Sequence, residues 1–273
     1  EKAISTLIDV EWSKSGKNYT PVGVVEPVEI AGTIVQRASL ANPNMIEEMG
    51  LKINQKVLVS KRGDIIPKIE KVVMETENDI DIPIPTQCEV CNTELINEGT
   101  NLYCPNPNCD KVKYKRLKKW IKKLGVKYFG DLILKQLYDS GKVKEIADLY
   151  KLNVSDLTKL DRVGRKTAEK ALGNLLDVKE ITLAKFVSAF DIDGVGERSM
   201  KKIVNAGITN LSDLKRKETM NRIIGVEGLG KHIARNVYLG VNALYDQMQN
   251  VLETGKILLK KLEKKSGLLE GKS

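Results

Sequence analysis

Ile192-Asp193-Gly194-Val195-Gly196-Glu197-Arg198-Ser199-Met200 sets two glycines one residue apart at the head of a helical pattern. The stretch aligns with Val226-Glu227-Gly228-Leu229-Gly230-Lys231-His232-Ile233-Ala234. Weaker copies are Leu160-Asp161-Arg162-Val163-Gly164-Arg165-Lys166-Thr167-Ala168 and Ile121-Lys122-Lys123-Leu124-Gly125-Val126-Lys127-Tyr128-Phe129. In this alignment the second glycine falls at 125, 164, 196 and 230, at spacings of 39, 32 and 34 residues. Near-regular self-similarity of this kind marks a repeated supersecondary unit. Each glycine pair lets the chain turn tightly between two short helices. The second helix then opens with unpaired N–H groups, which with the helix dipole attract an anion such as a DNA phosphate.

This is the helix-hairpin-helix pattern, and a backbone-to-phosphate contact of this type reads position rather than base sequence. The candidate contacts are Gly125, Gly164, Gly194, Gly196, Gly228 and Gly230, with Arg165, Lys166, Arg198 and Lys231 just past the corners. The first two copies carry Lys123 and Arg162 in place of the first glycine, so they are expected to pack structurally and contact DNA less. A single Gly-x-Gly would read as ordinary helix–loop–helix packing; four copies in a basic chain favour the anion-binding reading. His232, the single histidine, reads as exposed near phosphate rather than catalytic.

Working outward, the chain of 273 residues has room for two domains or three small ones. Lys and Arg total 45 against 36 Asp and Glu, a net charge of +9 that suits a polyanionic partner. No apolar run approaches the roughly 18 residues a membrane span needs, and the start has no signal-peptide pattern. Aromatics at 5% argue against a protein that stacks single-stranded bases. Residues 1–74 read as β: strict alternation over Ile4–Trp12, a turn at Ser13–Asn18, then strand-like runs over Tyr19–Val28, Ile30–Leu40, Lys56–Ser60 and Ile65–Val73. Five short strands fit a small closed barrel of the OB-fold type, and equally another small barrel or sandwich. Residues 75–87, acidic and holding Pro83 and Pro85, read as a linker. From Lys111 the pattern is helical. Leu117, Trp120, Ile121 and Leu124 form an apolar face, and Lys115, Arg116, Lys118, Lys119, Lys122 and Lys123 the opposite one.

All four cysteines lie in one run, Cys88-x2-Cys91-x12-Cys104-x4-Cys109. Two close pairs across a short hairpin, turned at Gly99 and Asn101, can set four thiolates about one tetrahedral Zn2+. Two disulfides or four free thiols are the other readings. Four protein ligands leave no open position, so such a zinc is structural, and it supplies folding energy to a segment too small to bury a core. The expected organisation is multidomain α+β: barrel 1–74, linker 75–87, four-cysteine zinc finger 88–112, hairpin domain 113–252, and a linker 253–273.

Barrel, cysteine knuckle and four hairpins in this order resemble the C-terminal part of bacterial NAD-dependent DNA ligase. The local sequence is similar at Tyr19-Thr20-Pro21-Val22-Gly23, at Glu26-Pro27-Val28, over Gly32–Asn42 and at Lys61-Arg62-Gly63-Asp64-Ile65-Ile66-Pro67. Three sites depart from the family. Ser13-Lys14-Ser15-Gly16 stands for its Gly-Arg-Thr-Gly, Ala41 for a histidine, and Lys61-Arg62 for Arg-Ala, as in a divergent or second copy of the enzyme. Lys14 and Lys61 keep positive charge without arginine's bidentate geometry.

The resemblance implies a module that grips and aligns nicked duplex DNA for phosphodiester bond formation in replication and repair. Lys14, Arg37, Lys61 and Arg62 would be the barrel's contacts. It also implies an adenylation domain, using NAD and Mg2+, before residue 1, because the family's Lys-x-Asp-Gly motif does not occur here. The chain alone is then expected to be inactive. A BRCT domain would follow residue 273. The setting would be a monomer in the bacterial cytoplasm, associated with the nucleoid. Two competing readings are a non-ligase helix-hairpin-helix scaffold of repair or recombination, and a zinc-stabilised protein-interaction scaffold.

Overall fold

The computed structural model describes residues 1–61 and 66–260, with the side chains of residues 13–15 outside the description. The chain divides into two compact units, Glu1–Val112 and Lys113–Ser273.

In the first unit, β1 (Lys2–Ser15) turns through Gly16 into β2 (Asn18–Ile30). Ala31 and Gly32, at φ 54° and 66°, make the two-residue turn into β3 (Thr33–Ser39). A short helix α1 (Asn44–Glu48), β4 (Lys52–Ile53), β5 (Lys56–Ser60) and β6 (Lys68–Met74) complete the barrel region. The long β1 pairs with β5 along its first half and with β2 along its second. That double pairing closes the ring β1-β2-β3-β6-β5, antiparallel everywhere except at β3–β6. Leu7, Val25, Leu40, Val57, Val59 and Ile69 fill the interior. A Cβ at Gly23 would stand 2.5 Å from Ile69 Cδ1, so this glycine makes room for the core.

The strict alternation expected over Ile4–Trp12 is broken by a bulge. The β1–β2 register slips between Leu7 and Asp9, and the Asp9 carboxylate accepts the Val10 N–H at 2.7 Å. The extra residue reverses the phase of the strand. Ser5, Leu7 and Val10 are buried, whereas Ile4 and Ile8 are exposed.

Residues 75–87 are not a free tether. β7 (Ile80–Asp81) pairs with β4, Ile82 joins the barrel core, and the Trp12 indole donates to the Pro83 carbonyl at 3.2 Å. The hairpin of β8 (Ile96–Asn97) and β9 (Leu102–Tyr103) extends the barrel sheet from the start of β2.

The second unit is helical around α2 (Asp110–Leu124), whose last residues are its own. Then come α3 (Asp131–Asp139), α4 (Ile146–Leu149), α5 (Val154–Thr158), α6 (Arg165–Leu176), β10 (Glu180–Ile181), α7 (Leu183–Ala189) and α8 (Glu197–Asn205). A 3-10 turn (Ser212–Lys215), α9 (Lys217–Ile224), the long α10 (Lys231–Glu253) and β11 (Leu258–Leu259) follow. Leu117, Trp120, Ile121 and Leu124 are buried, as the periodicity requires. Trp120 meets Tyr150, Phe186 and Phe190 edge-on, at 5.5–6.4 Å between ring centroids, and its indole N–H donates to the Tyr150 hydroxyl at 3.0 Å. Four of the thirteen aromatic residues thus meet at the centre of this core. The described part of 253–273 is packed rather than a linker: Ile257 is fully buried and β11 pairs in parallel with β10. The rest of that segment, 261–273, lies outside the described residues.

Candidate nucleic-acid interface and four-thiol cluster

Each hairpin corner has one backbone recipe. A buried or half-buried apolar residue is followed by a polar one, a residue with positive φ, a buried apolar residue, and a glycine that caps the next helix. The positive-φ residues are Tyr128 (61°), Arg162 (60°), Gly194 (65°) and Gly228 (72°). The capping glycines are Gly130, Gly164, Gly196 and Gly230.

The first corner is thus Val126-Lys127-Tyr128-Phe129-Gly130, five residues beyond the expected one. Gly125, at φ 73°, instead closes α2. Its N–H donates to the Lys122 carbonyl at 3.2 Å, and the Val126 N–H donates to that of Ile121 at 3.1 Å. That is the usual task of a left-handed glycine just past a helix. The corrected frame spaces the caps 34, 32 and 34 residues apart. The sequence signal for it was the apolar pair Val126 and Phe129 ahead of Gly130. It was hidden because a tyrosine occupies the left-handed position.

The four capping glycines share a further property. Their backbones are extended (φ −73° to −92°), a conformation open to any residue. A Cβ built on any of them would meet nothing within 4 Å. Neither backbone geometry nor internal packing requires glycine there. None has a side-chain cap, so the first amides of α3, α6, α8 and α10 have no capping acceptor.

The charge just inside each cap alternates. It is Asp131, Arg165, Glu197 and Lys231 in turn. Asp131 pairs with Lys118 at 2.7 Å. Glu197 pairs with Lys123 at 2.8 Å and Lys201 at 3.0 Å, and these cations hold its carboxyl below the usual range. Arg165 is exposed and pairs with Glu169 at 2.8 Å; Lys166, Arg198, Lys231 and His232 are exposed.

The basic face of α2 is partly consumed inside its own unit. Lys115 and Lys119 reach Asp191 at 3.7 and 2.7 Å, beside the Lys118 and Lys123 pairs. Arg116 is buried, donating to the Phe190 carbonyl at 3.1 Å and to Gln247 Oε1 at 3.2 Å.

On the barrel, Arg37 and Lys61 flank a groove of about 480 Å³ also lined by Thr33, Ile34, Gln36, Ile66 and Pro67. Arg37 pairs with Glu11, and the Lys61 ammonium donates to the Thr33 hydroxyl at 2.9 Å. Ile34 and Ile66 are 69% and 75% exposed, so the groove that holds the cations also presents apolar side chains. Arg62 and the side chain of Lys14 lie outside the described residues.

The four cysteines come together. All sulfurs lie within 4.8 Å of one another, with Cys88–Cys109 at 3.9 Å and Cys91–Cys104 at 3.6 Å. Disulfides would need about 2.05 Å. Four sulfurs at Zn–S distances of roughly 2.3 Å stand about 3.8 Å apart, which these separations bracket. Glu98 N–H bonds the Asn101 carbonyl at 2.9 Å and Gly99 has φ 78°, so the expected turn forms. Burial pushes Cys104 up to about 12 and Cys109 to about 11, while the Thr93 hydroxyl brings Cys91 down to about 6. Four sulfurs this close could all be thiolates only with a divalent cation among them to supply the opposing charge. The cluster is bonded to the barrel: Cys104 N–H to the Lys17 carbonyl at 2.8 Å, and Glu89 N–H to the Tyr19 hydroxyl at 3.2 Å.

A closed barrel with a cationic groove, and helices that present uncapped N-termini from glycine corners, make an architecture suited to holding anions. Residues 5–80 match the family model of the NAD-dependent DNA ligase OB-fold domain. Residues 124–172 and 186–242 match a SAM-like helix-hairpin-helix tandem, two corners in each segment. The chain is 42% identical over 260 residues to a DNA ligase of Treponema denticola, covering 95% of this chain and 40% of that protein. It is 40% identical over 273 residues to one of Treponema pallidum (100% and 33%), and 35% over 254 to one of Sorangium cellulosum (92% and 37%). The chain belongs to the NAD-dependent DNA ligase family and spans 33–40% of the length of these relatives. This disfavours the two scaffold readings. Among the described residues no helix is long and apolar enough to cross a membrane.

Proposed function

We propose that this chain is the part of a ligase that grips nicked duplex DNA, aligning a 3′-hydroxyl with a 5′-phosphate for bond formation in replication and repair. One observation carries the reading: four capping glycines that their own chain does not require, each leaving open space over uncapped amides. Space of that kind suits a phosphate drawn to a helix N-terminus. Gly164 with Arg165 and Gly230 with Lys231 are the stronger contacts, because Asp131 and Glu197 oppose an anion at the other two corners. Gly194 and Gly228 shape their turns; Lys166 and Arg198 add charge beside the duplex. On the barrel, Arg37 and Lys61 hold phosphates on either side of the groove while Ile34 and Ile66 press on sugars and base edges. Lys14 and Arg62 extend that cationic rim.

Cys88, Cys91, Cys104 and Cys109 hold a structural Zn2+, with no position left for a reacting water. NAD and Mg2+ act in an adenylation domain outside this chain, so the chain alone binds without sealing. It works as a monomer in the cytoplasm, on nucleoid DNA.

The test is binding of the chain to a nicked duplex across salt concentrations. With ~6–10 phosphates engaged, log K is expected to fall with log salt at a slope of about −5 to −9. No binding at low salt with the metal in place, or formation of a covalent AMP adduct by the chain itself, would overturn the proposal.

A further inference from the structure

Six residues beyond each capping glycine stand Gln136, Lys170, Lys202 and Asn236. Each reaches the loop of the other hairpin in its tandem. Gln136 Nε2 donates to the Asp161 carbonyl at 3.2 Å, and its Oε1 accepts the Asp161 N–H at 2.7 Å. In the second tandem, Lys202 Nζ donates to the Glu227 carbonyl at 2.9 Å and Asn236 Nδ2 to the Asp193 carbonyl at 3.0 Å. Asp161, Asp193 and Glu227 each lie three residues before a capping glycine. Lys170 Nζ lies 5.3 Å from the ring centroid of Tyr128, in the remaining loop.

We propose that these four side chains are positioning residues. They form reciprocal ties across each tandem and set the separation of its two phosphate-binding helix ends. The inference rests on the DNA-gripping reading above. A tie to the carbonyl three residues ahead of a cap holds the turn that aims that cap. Two reciprocal ties fix both helix ends against each other. A second phosphate contact adds to the first only when the span between the sites is fixed at the right length.

The steric detail agrees. A Cβ at Gly228 would stand 2.5 Å from Lys202 Nζ, and one at Gly194 would stand 3.4 Å from Asn236 Nδ2. These glycines therefore leave passage for the ties as well as adopting positive φ. The side chain is Gln, Lys, Lys and Asn in turn; in three of the four copies this position donates to the carbonyl three residues before the other cap, and in the fourth it reaches the ring in the remaining loop.

The experiment uses the zinc-loaded chain and compares Lys202→Gln, Lys202→Met and Asn236→Leu. Lys202→Gln keeps a donor, as Gln136 does in the first tandem, but removes the charge. Its duplex affinity is expected within about twofold of the unmutated chain. Lys202→Met and Asn236→Leu are expected to bind about five- to tenfold more weakly at unchanged helix content, with a salt slope shallower by about one. In the free chain, amide exchange is expected to quicken at residues 227–229 in Lys202→Met and at 193–195 in Asn236→Leu. Equal losses in Lys202→Gln and Lys202→Met would show that the charge matters rather than the tie, and would overturn the inference. So would unchanged affinity or unchanged exchange in Lys202→Met and Asn236→Leu. An unmutated chain that ignores duplex overturns the gripping reading itself, and the inference with it.

Discussion

Two glycines five residues apart, Gly125 and Gly130, have opposite duties. Gly125 has positive φ and closes α2, so its loss is a matter of folding. Gly125→Ala is expected to cost about 1 kcal/mol in a urea melt, with duplex affinity unchanged. Gly130, Gly164 and Gly230 are extended and touch nothing, so valine there is expected to cost only the loss of a favourable N-cap, about 1 kcal/mol in the melt. Affinity measured by fluorescence anisotropy is expected to fall most at Gly164 and Gly230, by about tenfold. A Gly164→Val that leaves duplex affinity unchanged, or a Gly125→Ala that loses DNA, would reverse the corrected register. The misplacement has a physical source. A left-handed tyrosine costs roughly 1–2 kcal/mol, so glycine is the residue a reader looks for at such a corner. Tyr128 itself is exposed, and the turn is held by its neighbours, the buried Phe129 and the half-buried Val126.

Among the elements, α2 shows the limit of reading charge from periodicity. Its apolar face was legible because Leu117, Trp120, Ile121 and Leu124 repeat within the helix itself. The fate of its cations was not, because Asp131, Asp191 and Glu197 are spread over the following 75 residues and only the fold brings them in. The bulge in β1 was hidden because Ile4 and Ile8 share the parity of Val10 and Trp12, so that the sequence alternates without a break while the strand changes phase after Leu7. Glu197 offers a direct test. It keeps a negative charge beside the Gly196 cap, and Lys123 and Lys201 keep it ionised. Glu197→Gln is expected to tighten duplex binding about two- to fivefold, at a stability cost of under about 1 kcal/mol. Its lowered pKa sets the sign with pH. Stability from this cluster is complete above the unfolded value near 4.5 and is lost as pH falls through the lower folded value. The difference between Glu197 and Glu197→Gln in urea midpoint is therefore expected in full at pH 7 and to shrink progressively as pH falls below 4.5. Unchanged or weaker duplex binding by the variant would count against anion binding at this corner.

At the scale of the molecule, the four-thiol cluster and the barrel are one structural unit. β9 pairs with Asn18 and Tyr19, Cys104 bonds Lys17, and the Tyr19 hydroxyl bonds both Glu89 and Cys88. Chelation is expected to release the knuckle and speed amide exchange over residues 16–20, while β5 in the barrel wall stays slow. Protection of 16–20 that survives complete metal removal would uncouple the two. The order of parts was readable because each follows a local rule: period two, paired cysteines, glycine corners. Their stitching was not, since it runs through two-residue bridges such as β4–β7 and β8–β9 that leave no periodic trace. The empty space above the capping glycines has a last consequence for how such a protein tolerates change. A library of variants at those four positions, sorted for soluble expression, would pass nearly intact. The same library sorted for retention on a nucleic-acid column would be depleted. If the caps hold phosphate as proposed, the selective constraint at these sites comes from the partner molecule, and inheritance there records what is held rather than what holds.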